Sequence, residues 1–215
     1  DEKLYRHRIL IRNGIKDPVI SERMACYGYT PEKMIQANLM YQKVEEASQQ
    51  NRFKHGDYNK CRSKLKEAKK AFHKAYIIDL EFARIALARH PDLLDRVGAN
   101  GRRQKAWSAY FFEAKWFYRS LAEDESLLKL VAVYGYNKAL IHRRLSDIDN
   151  IYRLMNQRAS TSGEAQHSTQ VRNRKLRELD CWVSEYKKVA HLAFMDSPQL
   201  LEKLGIVVKS GTGGK

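Results

Sequence analysis

The sequence is poor in the residues that staple or interrupt a chain. Its 215 residues include three cysteines and four prolines. The cysteines (Cys26, Cys61 and Cys181) are odd in number and far apart, and they form no C-x-x-C pair. This pattern argues against a disulfide framework and a zinc knuckle, and it favours a reducing, intracellular compartment. Because the sequence opens on Asp1 without a Met or a signal peptide, we expect that the start of the chain has been trimmed.

Long apolar runs and acidic residues are scarce as well. The most apolar stretch, residues 75–88, is interrupted by Asp79, Glu81 and Arg84, so we expect no membrane-spanning segment. Forty Lys and Arg residues against 25 Asp and Glu residues give a net charge of +15. Such an excess indicates an acidic macromolecular partner, either a nucleic acid or an acidic protein surface.

The sequence repeats itself at an offset of 107 residues. Residues 27–29, Tyr-Gly-Tyr, recur at 134–136, and residues 90–98 recur with similar chemistry at 197–205. The two matches share one offset, and no gap is needed between them. A common register over such a distance seldom arises by chance, so the sequence predicts an internal duplication.

Each copy has the pattern of a helical hairpin. Residues 30–32, Thr-Pro-Glu, combine an N-cap, a proline at the first helical position and an acid on the helix dipole, and Asn137 is an equivalent N-cap. Apolar residues at helical spacing follow in both copies. Polar segments at 51–57 and 160–163, each with a glycine, then predict the hairpin turns.

Return helices are predicted at about 57–89 and 165–195, and Pro91 and Pro198 end them. The expected fold is all-α: an internally duplicated helical hairpin forming a four-helix-bundle-like core, with an aromatic linking helix and short capping helices. It is expected to be one compact domain made of an N-terminal half (1–98), a linking helix (99–128), a second hairpin (129–205) and a flexible tail (206–215).

Catalytic, metal and cofactor motifs find little support in the sequence. A single E-x-x-H, from Glu164 to His167, has no counterpart in the other copy, whereas a di-iron bundle needs two. The tail resembles a P-loop but has Lys209 where the first glycine belongs. We therefore expect no catalytic residue, metal or cofactor. Asp79 falls on a core-facing sector, where it needs a polar partner; an enzyme site between the two halves near Asp79 remains an alternative.

Positive charge is the strongest functional signal. Residues 57–74 carry seven basic side chains against two acids, and residues 172–188 repeat this pattern with more acids. Such faces can follow a phosphate backbone without reading its sequence, although they are also typical of a solvated helix surface. The candidate nucleic-acid-binding residues are Lys60, Arg62, Lys64, Lys66, Lys69, Lys70, Lys74, Arg172, Arg174, Lys175 and Arg177.

The linking helix is rich in aromatic residues. Seven residues at i, i+3, i+4 spacing predict one core-facing stripe: Trp107, Tyr110, Phe111, Ala114, Phe117, Tyr118 and Leu121. Phe112 and Trp116 lie away from this stripe, which makes them candidate partner-docking residues. A helix that lies in a membrane interface is a weaker interpretation of the same segment.

The sequence favours a non-enzymatic interaction or scaffold protein that presents basic and aromatic helical faces to a macromolecular partner. The alternative from another class is a sequence-nonspecific nucleic-acid-binding protein or ribonucleoprotein component that uses the long basic helices. A second alternative is an uncharacterised enzyme. The partner's identity and the oligomeric state are left open, as is whether the hairpins exchange between chains.

Overall fold

The computed structural model describes residues 2–207, and this part of the chain is all-α, as predicted. Asp1 and residues 208–215, which hold most of the predicted tail, lie outside the described residues; Ile206, also assigned to that tail, is buried. None of the helices within residues 2–207 is long and apolar enough to cross a membrane. The helices are α1 (Glu2–Lys16), α2 (Pro18–Ala25), α3 (Pro31–Ala86), α4 (Pro91–Arg96), α5 (Trp107–Glu123), α6 (Glu125–Ala132), α7 (Lys138–Ala193) and α8 (Pro198–Lys203).

The predicted hairpin turns are wrong. Helix α3 runs through residues 51–57 and helix α7 through residues 160–163, each as part of one helix of 56 residues. Neither segment contains a proline, and neither Gly56 nor Gly163 has a positive φ. A glycine inside a helix costs only about 1 kcal/mol relative to alanine. A polar, glycine-containing stretch therefore lowers helix propensity without ending a helix that tertiary packing stabilises.

The chain forms two compact units that cut across the predicted hairpins. Among the described residues, the central unit comprises residues 56–163, and the split unit comprises residues 2–55 together with residues 164–207. The first part of α3 and the second part of α7 thus belong to the split unit, and their remaining parts belong to the central unit. Each unit therefore takes residues from both predicted hairpins.

The split unit packs α1 against its parts of α3 and α7. The Tyr29 ring meets the Tyr186 ring edge-on, with centroids 4.9 Å apart. Gly14 allows α1 to approach closely, because a Cβ there would lie 2.7 Å from the Tyr186 hydroxyl oxygen and 2.8 Å from Met34 Cε. Asn51 of α3 contacts α7 in the same unit, since its Nδ2 donates to Ser168 Oγ at 3.0 Å. Asn51 belongs to the segment 51–57 that was predicted to be a turn.

The central unit packs the aromatic helix α5 against its parts of α3 and α7. Six of the seven residues in the predicted stripe are buried: Tyr110, Phe111, Ala114, Phe117, Tyr118 and Leu121. Phe72 of α3 and Tyr152 of α7 pack against Phe111, with ring centroids 5.6 and 6.1 Å away. Trp107 is the exception, because it is the first residue of α5 and is 42% exposed.

Three pairs of helices begin at positions 107 residues apart: Pro18 and Glu125 for α2 and α6, Pro31 and Lys138 for α3 and α7, and Pro91 and Pro198 for α4 and α8. The N-caps of α2 and α6 follow the same rule, since Asp17 and Asp124 each accept two backbone N–H groups at their helix start. These hydrogen bonds are typical of side-chain N-caps.

Candidate functional site

A groove of about 510 Å³ on the central unit collects much of the predicted basic surface. Five lysine and arginine side chains line it, together with one histidine, one leucine and one tryptophan. Four of the five cations were candidate nucleic-acid-binding residues in the sequence. The lining residues are Arg62, Leu65, Lys66, Lys69, Lys70, His73, Trp107 and Arg158.

Helical periodicity places the basic residues of α3 on one face. Arg62, Lys66 and Lys70 are four residues apart, so their side chains form a row with about 5–6 Å between neighbouring Cβ atoms. Leu65 and Phe72 are buried in the core of the unit and so fix the rotation of this part of α3. The row is therefore held in place by the packed apolar residues beside it on the same helix.

Trp107 forms the aromatic wall of the groove. Its ring stacks on Phe111, with centroids 5.4 Å apart and an interplanar angle of 21°. It also meets the Tyr110 ring edge-on at 5.5 Å. Because two buried aromatic side chains support it, the indole is held in place although nearly half of its surface is exposed.

Lys69 connects the basic row to the aromatic wall. Its Nζ lies 4.7 Å from the centroid of the Trp107 ring, within the range of a cation–π contact. Burial of this side chain and the nearby positive charge of Arg158 lower the pKa of Lys69. Both causes disfavour the charged form of the ammonium group.

His73 is positioned by a hydrogen bond at the base of the groove. Its Nδ1 lies 2.7 Å from the Tyr110 hydroxyl oxygen, and burial raises the pKa of Tyr110. A phenol that keeps its proton can donate to Nδ1, which leaves the imidazole proton on Nε2. In that tautomer, His73 adds an Nε2–H donor to the cations of the groove.

The groove carries uncompensated positive charge. Its lining includes no carboxylate among the residues that the structure describes. Within residues 2–207, moreover, no salt bridge engages Arg62, Lys66, Lys70 or Arg158. An anionic ligand is what such a lining would bind.

The other candidate basic residues lie elsewhere. Lys60 and Lys74 are exposed on α3, and Lys64 lines a different groove of the central unit together with Glu67 and Arg153. The candidates from α7 belong to the split unit. Of these, Arg174 and Arg177 are exposed, Lys175 is half-buried, and Arg172 donates from Nη2 to Asn173 Oδ1 at 2.7 Å.

The two candidate docking residues are both exposed, but they differ in their contacts. Phe112 is 71% exposed. Trp116 is 55% exposed, yet its Nε1 donates to the Arg96 carbonyl oxygen at 3.1 Å, and its ring covers Gly98. Trp116 thus has a structural role in holding the end of α4, whereas Phe112 remains a docking candidate.

Asp79 is buried in a closed hydrogen-bond network of the central unit. Its carboxylate accepts from the Tyr118 hydroxyl at 2.6 Å, the Tyr136 hydroxyl at 2.7 Å and Arg144 Nε at 2.8 Å. Burial raises the pKa of both tyrosines, and the nearby carboxylate raises it further. Burial alone would lower the pKa of Arg144, but its hydrogen bond to Asp79 raises it. These partners are those that the sequence analysis expected for a structural carboxylate.

The part of the chain that the structure describes contains no candidate metal site. Within residues 2–207, no group of three or more His, Cys, Asp or Glu side chains is arranged to hold a metal ion. Glu164 and His167, the single E-x-x-H pair, line a groove of the split unit beside Phe53.

Three residues of the groove were not predicted from the sequence: His73, Trp107 and Arg158. Trp107 was assigned to the core because it continues the stripe, and its position at the start of α5 was the available signal for exposure. Arg158 lies close to the segment predicted as a turn, and only its pairing with α3 brings it to the groove.

Comparison with known proteins adds no family to this description. The chain matches no protein-family model, and it matches neither a curated protein nor a solved structure.

Proposed function

We propose that this chain is a non-enzymatic helical binding protein whose partner is a nucleic acid, held through its phosphates by the basic groove of the central unit. The single observation that supports this proposal is the groove itself, with five cations, an exposed tryptophan and, among the described residues, no carboxylate in its lining. An acidic protein would supply negative charge, but it would not need the planar aromatic wall. Phosphate and base together match both parts of the lining.

The mechanism is electrostatic. Phosphates that pair with the row of Arg62, Lys66 and Lys70 release condensed counterions, so the affinity falls as salt rises. An anion beside Lys69 also offsets its repulsion with Arg158, which lowers the pKa of Lys69. Such contacts position a strand without reading its sequence.

The test is a salt titration of binding to single-stranded nucleic acid. If all five cations of the groove contact phosphates, the slope of log K against log salt is about −3.5. Lys66→Glu combined with Lys70→Glu removes two of these contacts, so we expect a slope near −2.1 and weaker binding at every salt concentration.

A matched control separates the groove from net charge. Lys43 and Arg119 are exposed basic residues outside the groove, and reversing both changes the net charge by the same amount. We expect the Lys43→Glu, Arg119→Glu variant to bind almost as tightly as the parent. Equal loss in the two double variants, or no binding of nucleic acid at low salt, would contradict the proposal.

A second candidate function is docking of a protein partner through Phe112 and Trp116. It is favoured by the exposure of Phe112, a large apolar side chain with no structural role among the described contacts. Binding of this kind tolerates salt and is lost in Phe112→Ala. An interaction that survives high salt and is unaffected by Phe112→Ala and Trp116→Ala would exclude it.

We also infer that the chain is an internal duplication, with one repeat displaced by 107 residues from the other. Support comes from three pairs of helices whose starts share this offset, and from Gly28 with Gly135 and Gly98 with Gly205, which all have positive φ. Asp17 and Asp124 provide the test. Replacing either with Ala removes the same cap, so the two variants are expected to lower Tm by similar amounts, and clearly unequal losses would argue against equivalence.

A further inference from the structure

We propose that the groove of the central unit accommodates an unpaired nucleotide of a single strand, with the base stacked on Trp107 and the flanking phosphates held by Arg62, Lys66, Lys70 and Arg158. This inference rests on the proposed function and adds a ligand class to it. It goes beyond charge, because a duplex and a single strand both supply phosphates but only an unpaired base offers a free π-face.

The aromatic wall has the properties of a stacking platform. Trp107 is exposed on the groove side and supported from behind by Phe111, so a base meets a ring that is already oriented. Base stacking on an aromatic side chain tolerates any base, because every base has a π-face. The site therefore selects for a single strand without selecting for a sequence.

Lys69 occupies the place where base and phosphate would meet. Its Nζ lies 4.7 Å from the centroid of the Trp107 ring, so the ammonium covers part of the π-face that a base would use. A base that stacks on the indole displaces the ammonium from the ring toward the neighbouring phosphate. The cation then exchanges a weak contact with the ring for a charge-assisted hydrogen bond.

The size and shape of the groove agree with a ligand of this kind. Its volume of about 510 Å³ lies within the range of about 300–1,000 Å³ that is typical of small-ligand sites. The cations lie one helical turn apart along α3, so a strand can continue past the bound base and contact the row. A groove for one base joined to a basic row for its neighbours is thus built from α3, the start of α5 and Arg158 of α7.

The test compares an oligothymidylate with an abasic strand that has the same length and the same number of phosphates, at one low salt concentration. Stacking of one base is expected to favour the oligothymidylate by about 5-fold to 150-fold. Trp107→Leu removes the ring, so it is expected to abolish this preference and leave the affinity for the abasic strand unchanged. Trp107→Phe retains a smaller π-face and is expected to restore part of the preference.

Tyr27→Leu is the control, since Tyr27 is an aromatic residue that is 53% exposed and does not line the groove. It is expected to retain the full preference for the oligothymidylate. Equal affinity for the two strands, or a preference that survives Trp107→Leu, overturns the stacking inference while the salt-dependent binding still supports the proposed function. Failure of both strands to bind at low salt overturns the proposed function and the inference together.

Two further probes distinguish a single strand from a duplex and from a free nucleotide. A duplex of the same length is expected to bind more weakly than the oligothymidylate, and thymidine monophosphate is expected to compete only at far higher concentration. If the mononucleotide competes as well as the strand, the ligand is a free nucleotide and the single-strand assignment is wrong. Thermal unfolding of each variant, followed by circular dichroism, verifies that the comparisons are made on folded protein.

Discussion

Replacing Asp79 with Ala tests the polar network at the centre of the central unit. The carboxylate is 3% exposed and accepts three hydrogen bonds, one of them from Arg144. Removing one partner of a buried ion pair costs about 3–5 kcal/mol, because the other charge is left uncompensated. The Arg144 side chain is 19% exposed, so water relieves part of this penalty. We therefore expect Asp79→Ala to lower the free energy of unfolding by about 3 kcal/mol, at the lower end of that range.

Graded variants of the same network sharpen this prediction. Tyr118→Phe and Tyr136→Phe each remove one donor and leave the carboxylate with two partners. A hydrogen bond to a charged group contributes about 1.5–3 kcal/mol, so each of these variants is expected to lose less than Asp79→Ala. Asp57→Ala is the control, because Asp57 is an exposed carboxylate in the same helix.

Urea unfolding followed by tryptophan fluorescence measures these losses. With an m value of about 3 kcal/mol/M, a loss of 3 kcal/mol moves the midpoint down by about 1 M. Asp57→Ala should leave the midpoint nearly unchanged. A midpoint for Asp79→Ala that coincides with the Asp57→Ala control would refute the argument that the network stabilises this unit.

The remaining predictions concern the glycines and pH. Gly56→Ala and Gly163→Ala are each expected to raise stability by about 0.4–1 kcal/mol, since both lie inside helices with no atom within 4 Å of the added Cβ; a loss of stability in urea would argue for turns at these positions. Gly14→Ala is expected to lower stability by about 1–3 kcal/mol, because its Cβ would overlap Tyr186, and an unchanged midpoint would exclude that close contact. Burial alone would raise the pKa of Asp180, but the hydrogen bonds from Lys3 and His7 outweigh this effect and hold the pKa below its usual value. Its stabilising contribution is therefore complete above about pH 4 and is lost as pH falls through the lower folded-state pKa; Asp180→Asn should reduce the loss of Tm on acidification, and an identical pH profile would contradict this.

Local signals in the sequence predicted where most helices begin. Pro31 marks the start of α3 because proline suits the first helical position and cannot occupy the interior. The segment around Gly56 was misjudged for a related reason: glycine and polar residues weaken a helix but do not break it. Long-range contacts decide whether the helix continues through this segment, and one of them is the hydrogen bond from Asn51 to Ser168. No local pattern identifies that partner.

The candidate site was predicted in part. The basic face of α3 follows from helical periodicity alone, and four of its seven candidate residues line the groove. The exposure of Trp107 depends on where α5 begins, and helix boundaries are the least certain feature of a sequence pattern. The contribution of Arg158 depends on the pairing of α3 with α7, which sequence periodicity does not determine.

The division of the chain into a continuous and a discontinuous unit has a consequence for its synthesis. The central unit is complete once residue 163 has left the ribosome, whereas residues 2–55 must wait for the part of α7 and the α8 segment that complete their own unit. At about 5–20 residues per second, the 40-odd residues from 164 to 207 take roughly 2–9 s to make. During that interval the apolar side chains of Leu10, Ile11 and Met24 lack the part of the mature core that follows residue 163, which includes Tyr186 and Phe194. The order of translation thus assigns the central unit to fold first and makes the beginning of the chain the segment with the longest need for protection from aggregation.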